Sequence, residues 1–243
     1  MATESEIEAL QLRTGSVILE DWYTDLIEVL KKINTEAKRV KAGMYEYPGL
    51  IWCNIHWLPA GLLTEEVSGS GAVEYKSYMV VLDTGLTANS KVYVYKAICP
   101  TLTSWDKERR ILFKLWIHHD SDQYIHLVSG HIADPTTLEN TEYHIGFKVD
   151  GNILYATVGD GSSESVMNIG TITAGGFYKL EAVFKPGVEC RFYVDGVDKG
   201  AITTSLPSGS GPIAMDAFAA SIFNLGAASR SISICEVRFM QAG

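Results

Sequence analysis

The sequence predicts an all-β protein, an antiparallel β-sandwich preceded by an N-terminal α-helix. The hydrophobic period is three to four residues before Gly43 and two residues after Gly49. Glycine and proline follow the same division, since of 22 glycines only Gly15 and Gly43 lie in the first 43 residues, and all seven prolines come later. We therefore expect a helical segment with its linker at residues 1–48 and a single β domain at 49–243.

A stripe of apolar residues predicts the helix. The stripe has helical spacing and comprises Leu19, Trp22, Leu26, Val29, Ile33 and Val40. Ser16 is a suitable N-cap and Gly43 a suitable end, with acidic residues in the early turns and basic residues in the last. The stripe fits self-association of the chain, with a trimer as the expected oligomer, and it equally fits packing on the following domain.

Short segments of alternating polarity predict the strands of the sandwich. These segments are 50–58, 73–82, 91–98, 111–118, 124–129, 143–149, 153–158, 178–184, 190–194, 219–225 and 231–240. Tight-turn sequences separate several of them, namely 150–152 (DGN), 160–161 (DG), 185–187 (KPG) and 195–196 (DG). No helical stretch intervenes to connect parallel strands, so we expect antiparallel pairing.

Two regions resemble the concanavalin-A-like lectin/glucanase superfamily. Residues 178–197 (YKLEAVFKPGVECRFYVDGV), followed by 206–209 (LPSG), resemble two adjacent strands of that fold and the loop after them. Residues 69–73, 81–85 and 88–90 resemble the opening strands of such domains in phage and virus structural proteins. The resemblance implies a jelly roll over residues 49–243, a fold that hosts lectins, glycosidases, adhesion modules and parts of virions.

The acidic residues argue against catalysis. A glucanase of this superfamily would carry a Glu-x-Asp-x-x-Glu strand, because retaining hydrolysis needs two carboxyl groups about 5 Å apart. The sequence lacks this pattern, and Glu142, Glu181 and Glu189 have no acidic residue two or four positions away. We expect no catalytic residues and no cofactor, and a divergent glycoside hydrolase is the alternative.

Residues 116–126 (WIHHDSDQYIH) concentrate histidine and aromatic side chains, which are typical of ligand sites. Strand alternation places some of them, and residues of later strands, on the face opposite the core. If these strands share one sheet, its solvent face carries Trp116, His118, Tyr124, His126, His144, Glu181 and Tyr193. Aromatic rings stack on sugar rings, while imidazole and carboxylate groups hydrogen-bond hydroxyls, so this composition favours glycan binding.

Two other interpretations of these residues remain open. Aromatic and histidine side chains on an exposed sheet can simply stabilise cross-strand pairs. His118 and His126, with Asp120 or Asp122, are also of the residue types that bind Zn²⁺, although no metal-site spacing is present and we expect none.

Four widely spaced cysteines, Cys53, Cys99, Cys190 and Cys235, fit neither a zinc ribbon nor a disulfide scaffold. Buried thiols are the simplest interpretation. A bridge between Cys190 and Cys235, which both lie in predicted strands, stays open.

Charge restricts the partners. The net charge of −9 opposes a nucleic-acid surface, and no long apolar run or signal sequence suggests membrane insertion or export. Residues 1–43 carry six basic and eight acidic residues, so 14 basic and 21 acidic residues remain for the β domain, which favours neutral sugars as ligands. With the resemblance, we expect a non-enzymatic virion or phage appendage that binds glycans or other virion proteins; a lectin-like protein of the cytoplasm is the alternative.

Overall fold

The computed structural model describes residues 51–55, 63–76, 79–97, 104–209 and 216–241. The predicted N-terminal helix and its self-association therefore lie outside the described residues and stay predictions, as does the 1–48 segment boundary. Regular structure in the described ranges consists of strands alone, and no helix among them could span a membrane.

Fifteen strands form the described part of the chain. In chain order they are β1 (Ile51–Ile55), β2 (Thr64–Ser68), β3 (Ala72–Lys76), β4 (Met79–Asp83), β5 (Lys91–Ala97), β6 (Arg109–Ile117), β7 (Gln123–Gly130), β8 (His144–Asp150), β9 (Ile153–Gly159), β10 (Glu164–Thr171), β11 (Gly176–Lys185), β12 (Glu189–Val194), β13 (Val197–Ile202), β14 (Asp216–Asn224) and β15 (Ser231–Gln241).

The strands form two antiparallel sheets. Sheet 1 has eight strands in the order β13-β12-β11-β6-β15-β4-β3, with β1 also paired to β15. Sheet 2 has seven strands in the order β10-β9-β8-β7-β14-β5-β2. The all-β antiparallel sandwich is thus confirmed, and its two-sheet arrangement is consistent with the expected jelly roll.

Alternating side chains of both sheets build one hydrophobic core between them. On β6, for example, Ile111, Phe113, Leu115 and Ile117 all point inward and are fully buried. Phe147 of sheet 2 meets Phe192 of sheet 1 edge-on, with ring centroids 5.6 Å apart. This interlocking fixes which face of every strand is the outer face.

The predicted turns join neighbouring strands. Asp195 and Gly196 both adopt positive φ, 52° and 80°, as a two-residue hairpin turn with the right-handed strand twist requires. At the β9–β10 turn, hydrogen bonds from Ser162 and Ser163 lower the pKa of Asp160 to about 2, so this carboxylate holds the turn as an anion.

Strand prediction was wrong in two respects. The segment 73–82 is not one strand, since β3 and β4 are antiparallel neighbours with the register Val73↔Leu82. In addition, β2, β10 and β13 were missed. All three are largely polar strands at sheet edges, β2 and β10 in sheet 2 and β13 in sheet 1. An edge strand is exposed to water on more than one side, so its sequence lacks a clear apolar alternation.

Cys190 and Cys235 are free thiols. Two strands, β11 and β6, separate their strands in sheet 1, so the suggested bridge is wrong. Burial raises the pKa of Cys190, which therefore serves as a small apolar residue of the core.

Candidate functional site

The residues predicted to form one ligand face lie on the outer faces of both sheets. Sheet 1 carries Trp116 on β6, His118 just after it, Glu181 on β11 and Tyr193 on β12; sheet 2 carries Tyr124 and His126 on β7 and His144 on β8. The assumption of a shared sheet was wrong, because the chain crosses between sheets after β6. The two outer faces point away from each other, so the seven residues cannot act on one ligand together.

Two exposed aromatic rings lie side by side on sheet 1. Trp116 and Phe177 are directly paired across β6 and β11, and their ring centroids are 5.0 Å apart at an interplanar angle of 57°. The exposed fractions are 40% for Trp116 and 44% for Phe177. This open apolar surface is what a sugar ring needs for stacking.

Polar side chains surround the two rings. We call the group the aromatic patch; it comprises Trp116, Phe177, Lys114, His118, Lys179 and Ser233. His118 Nε2 is 2.8 Å from the hydroxyl oxygen of Ser233, which pairs with Trp116 in the sheet register. Burial, reinforced by Lys76 and opposed by Asp83, lowers the pKa of His118 and favours its neutral form. Hydrogen-bonding groups thus border the aromatic surface.

Glu181 and Tyr193 lie farther along the same face. They form a cross-strand pair between β11 and β12, and Glu181 also binds Arg110 with an N···O distance of 2.5 Å. The Glu181 side chain is only 10% exposed. Its carboxylate is therefore committed to an ion pair at the surface, and Trp116 rather than Glu181 is the accessible member of the predicted set.

Phe177 and Lys179 were missed by the sequence prediction. The predicted strand began at Tyr178, one residue after Phe177. The inward positions Leu180, Ala182 and Phe184 place residues 177 and 179 on the outer face by simple alternation. Extending that alternation one residue backwards would have found Phe177, whereas Lys179 already lay at an outward position of the predicted strand.

His126 and His144 are fully buried, so their prediction as solvent-facing residues was wrong. Residues 131–143, which we call the covering loop, lie over them on sheet 2. His126 Nε2 donates to the Thr137 carbonyl at 2.9 Å, and His144 Nδ1 donates to the Glu142 carbonyl at 2.7 Å. A connection between β7 and β8 thus covers the face that alternation alone assigned to solvent.

Charged side chains join these histidines under the covering loop. Lys148 Nζ is 2.7 Å from Glu164 Oε2 and 3.0 Å from the Leu138 carbonyl oxygen. Thr157 donates to Glu164 at 2.5 Å and contacts His144 Nε2 at 2.9 Å. We call His126, His144, Lys148, Thr157 and Glu164 the polar network. It fastens the loop to the sheet.

The electrostatics of the polar network follow from burial. Burial alone would raise the pKa of Glu164, but hydrogen bonds from His144, Lys148 and Thr157 outweigh it and lower that pKa to about 2. Burial, aided by Lys148 and His144, lowers the pKa of His126 to about 4 against the opposing bond to Thr137. At neutral pH, Glu164 is therefore an anion and His126 a neutral imidazole.

Tyr124, the remaining predicted residue, lies on the outer face of sheet 2 at the far end of β7. It is partly buried, and its ring stacks on Phe223 with centroids 6.1 Å apart and a 24° interplanar angle. This contact is a cross-strand pair of the kind that stabilises a sheet.

The alternative metal site also divides between the sheets, since His118 follows β6 and His126 lies on β7. Asp122 binds Arg230 at 3.0 Å, and Asp120 accepts a hydrogen bond from the Ala174 backbone at 3.3 Å. Within the described ranges, no group of three or more His, Cys, Asp or Glu residues is arranged to hold a metal ion.

Comparison with known proteins finds similar structures but no similar sequence. No protein-family model and no curated protein sequence matches the chain. A protein of unknown function from Shewanella oneidensis MR-1 matches with a TM-score of 0.55 and 9% identity, covering 99% of this chain and 95% of that one.

Two further solved structures match over most of both chains. Bacillus licheniformis β-glucanase matches with a TM-score of 0.54 and 14% identity, covering 79% of this chain and 97% of that one. The carbohydrate recognition domain of Emp46p, in a potassium-bound form, matches with a TM-score of 0.52 and 13% identity, covering 73% of this chain and 88% of that one. At these identities the likeness shows the fold, and it confirms the fold expected from the concanavalin-A-like resemblance.

Proposed function

We propose that this protein is a carbohydrate-binding β-sandwich module and that glycans bind at the aromatic patch. The observation that carries the proposal is the exposed Trp116–Phe177 pair, with His118 and Ser233 beside it. Its rings offer an apolar face to sugar C–H groups, and the polar neighbours offer hydrogen-bond partners to hydroxyls. The shared fold with a β-glucanase and a carbohydrate recognition domain supports this class of ligand.

Binding without catalysis is part of the proposal. The three most deeply placed glutamates of the outer faces each bind a basic residue: Glu164 binds Lys148, Glu181 binds Arg110, and Glu236 binds Lys114. None of these three carboxylates is free of a basic partner, whereas retaining hydrolysis needs one carboxylate as nucleophile and another as proton donor. Polysaccharide turnover that disappears in Glu181→Gln would instead establish a hydrolase.

The setting of the module is proposed from the sequence resemblance alone. We propose a virion or phage appendage in which residues 1–48 mediate self-association. Deleting residues 1–43 is then expected to reduce the molar mass measured by light scattering to that of a monomer. An unchanged oligomeric state would contradict this assembly role.

Trp116→Ala is expected to weaken glycan binding about tenfold or more, since it removes half of the stacking surface, and a tenfold change corresponds to about 1.4 kcal/mol. A glycan array identifies the ligand, and titration calorimetry then measures the dissociation constant. The fold should survive, because the lost cross-strand pair contributes only about 0.2–1 kcal/mol.

Tyr124→Ala is the matched control. It removes an aromatic side chain from the outer face of sheet 2 and should leave glycan affinity unchanged. Equal affinity in wild type and Trp116→Ala, or loss of binding in Tyr124→Ala alone, would contradict the assignment of the site to sheet 1.

A further inference from the structure

Basic residues outnumber acidic residues on the central strands of sheet 1, although the whole chain has a net charge of −9. The outward positions of β6, β11 and β15 carry the basic residues Arg110, Lys114, Lys179, Lys185 and Arg238 and the acidic residues Glu181 and Glu236. The aromatic patch lies on these strands. The outward surface of these three strands is therefore cationic.

Most of these charges are already paired. Glu181 binds Arg110, and Glu236 binds Arg238 as well as Lys114, whose ammonium lies 2.6 Å from the carboxylate. Lys179 differs: its backbone N–H donates to Asp195 at 2.8 Å, but no described carboxylate forms an ion pair with its ammonium. Lys179 also lies directly opposite Lys114 in the register of β11 and β6. Its charge is thus available to an anionic ligand.

The position of Lys179 suits a ligand that stacks on the rings. Lys179 follows Phe177 by two residues on the same face of β11, which places their Cα atoms about 7 Å apart. That separation is comparable to the length of one sugar residue. A pyranose ring on Trp116 and Phe177 can therefore direct a carboxylate toward the ammonium of Lys179.

We infer that the aromatic patch selects acidic glycans, in which a sugar ring stacks on Trp116 and Phe177 while its carboxylate binds Lys179. The inference rests on the proposed function and names its ligand class. It also replaces the neutral sugars expected from the overall charge, since the local charge at the patch, and not the sum over the chain, is what a ligand meets at contact distance.

The test compares two probes of equal length and linkage, an oligogalacturonate and the neutral oligogalactose made by reducing its carboxyl groups. Calorimetry on the full chain at low salt should give tighter binding for the oligogalacturonate. Lys179→Glu should weaken that binding about tenfold, a clearly larger loss than it causes for the neutral probe. Raising the salt concentration should reduce the advantage of the acidic probe, because exposed charges are screened.

Lys185→Glu is the matched control, since Lys185 is exposed on the same strand six residues away, about 20 Å from Lys179. It should bind the acidic probe about as well as wild type. Equal affinity for both probes, or equal losses in the two lysine variants, would overturn the selection of acidic glycans and leave the proposed function intact. Absence of binding to both probes and to every glycan of the array would overturn the proposed function itself.

Discussion

Lys148→Met is expected to destabilise the protein by about 3–5 kcal/mol, the usual cost of removing one partner of a buried ion pair. Lys148 and Glu164 have side chains only 4% and 6% exposed, and their charged atoms are 2.7 Å apart. The substitution keeps most of the apolar volume but leaves the Glu164 carboxylate buried without its cation. Urea unfolding followed by circular dichroism would measure the loss as a lower midpoint.

The covering loop should respond to the same substitution. Lys148 Nζ also donates to the Leu138 carbonyl, so Lys148→Met removes one of the bonds that fasten residues 131–143 to sheet 2. The substitution is expected to accelerate hydrogen exchange at the backbone amides of this loop more than at the amides of sheet 2. This local readout separates loss of the polar network from a general loss of core packing.

The double variant Lys148→Met/Glu164→Leu is the control. Replacing both partners of a buried pair by apolar residues is often neutral or stabilising, so the double variant should recover much of the lost stability. Arg191→Met, which breaks two ion pairs on the solvent-exposed side of sheet 1, should change stability little. A Lys148→Met protein as stable as wild type, or a double variant no better than the single, would show that the pair is not needed to hold the loop.

The sandwich could be predicted from the sequence because its determinants are local. The alternation of Ile111, Phe113, Leu115 and Ile117 identifies a strand and its inner face without knowledge of any partner. Turn residues such as Asp195 and Gly196 are equally local, since they supply the positive φ that the hairpin needs. Polar edge strands lack both signals, which explains why β2, β10 and β13 were missed.

The candidate site could be predicted only in part because a shared face is a non-local property. Trp116 and Tyr124 are eight residues apart in sequence, yet the chain passes from sheet 1 to sheet 2 between them. Alternation gives each residue its inner or outer side but does not say which sheet its strand joins. Trp116 was identified because the alternation within its own strand is enough to place it on the outer face. Its neighbour Ser233 comes from β15, which pairs with β6 only in the folded sheet, so the sequence did not reveal it.

The burial of His126 and His144 could not be predicted for a different reason. Alternation correctly placed both side chains away from the main core, but a polar connection, residues 131–143, lies over them. The sequence of such a loop has no apolar pattern from which its packing on a sheet could be predicted. A lysine at an outward strand position, Lys148, and a glutamate on the neighbouring hairpin, Glu164, are the partners that make this burial possible.

His126, which lies under the covering loop, should make the stability of the protein fall as the pH decreases from neutral. The pKa of His126 is about 4 in the folded protein, whereas its ordinary value is 6.5. The unfolded chain therefore binds the proton first, so stability is fully present above pH 6.5 and is lost as pH falls toward 4. At 1.36 kcal/mol per pKa unit the loss approaches about 3 kcal/mol. Glu164, with its pKa lowered from 4.5 to about 2, extends the loss below pH 4.5.

His126→Gln tests the origin of this acid sensitivity. The glutamine amide can donate to the Thr137 carbonyl as His126 Nε2 does, but it does not titrate. The free energy of unfolding, measured in urea at intervals from pH 7 to pH 4, should fall less steeply in this variant than in wild type. A His126→Gln protein with the wild-type slope would place the sensitivity elsewhere, whereas a reduced slope would show that acid acts on the fold through His126.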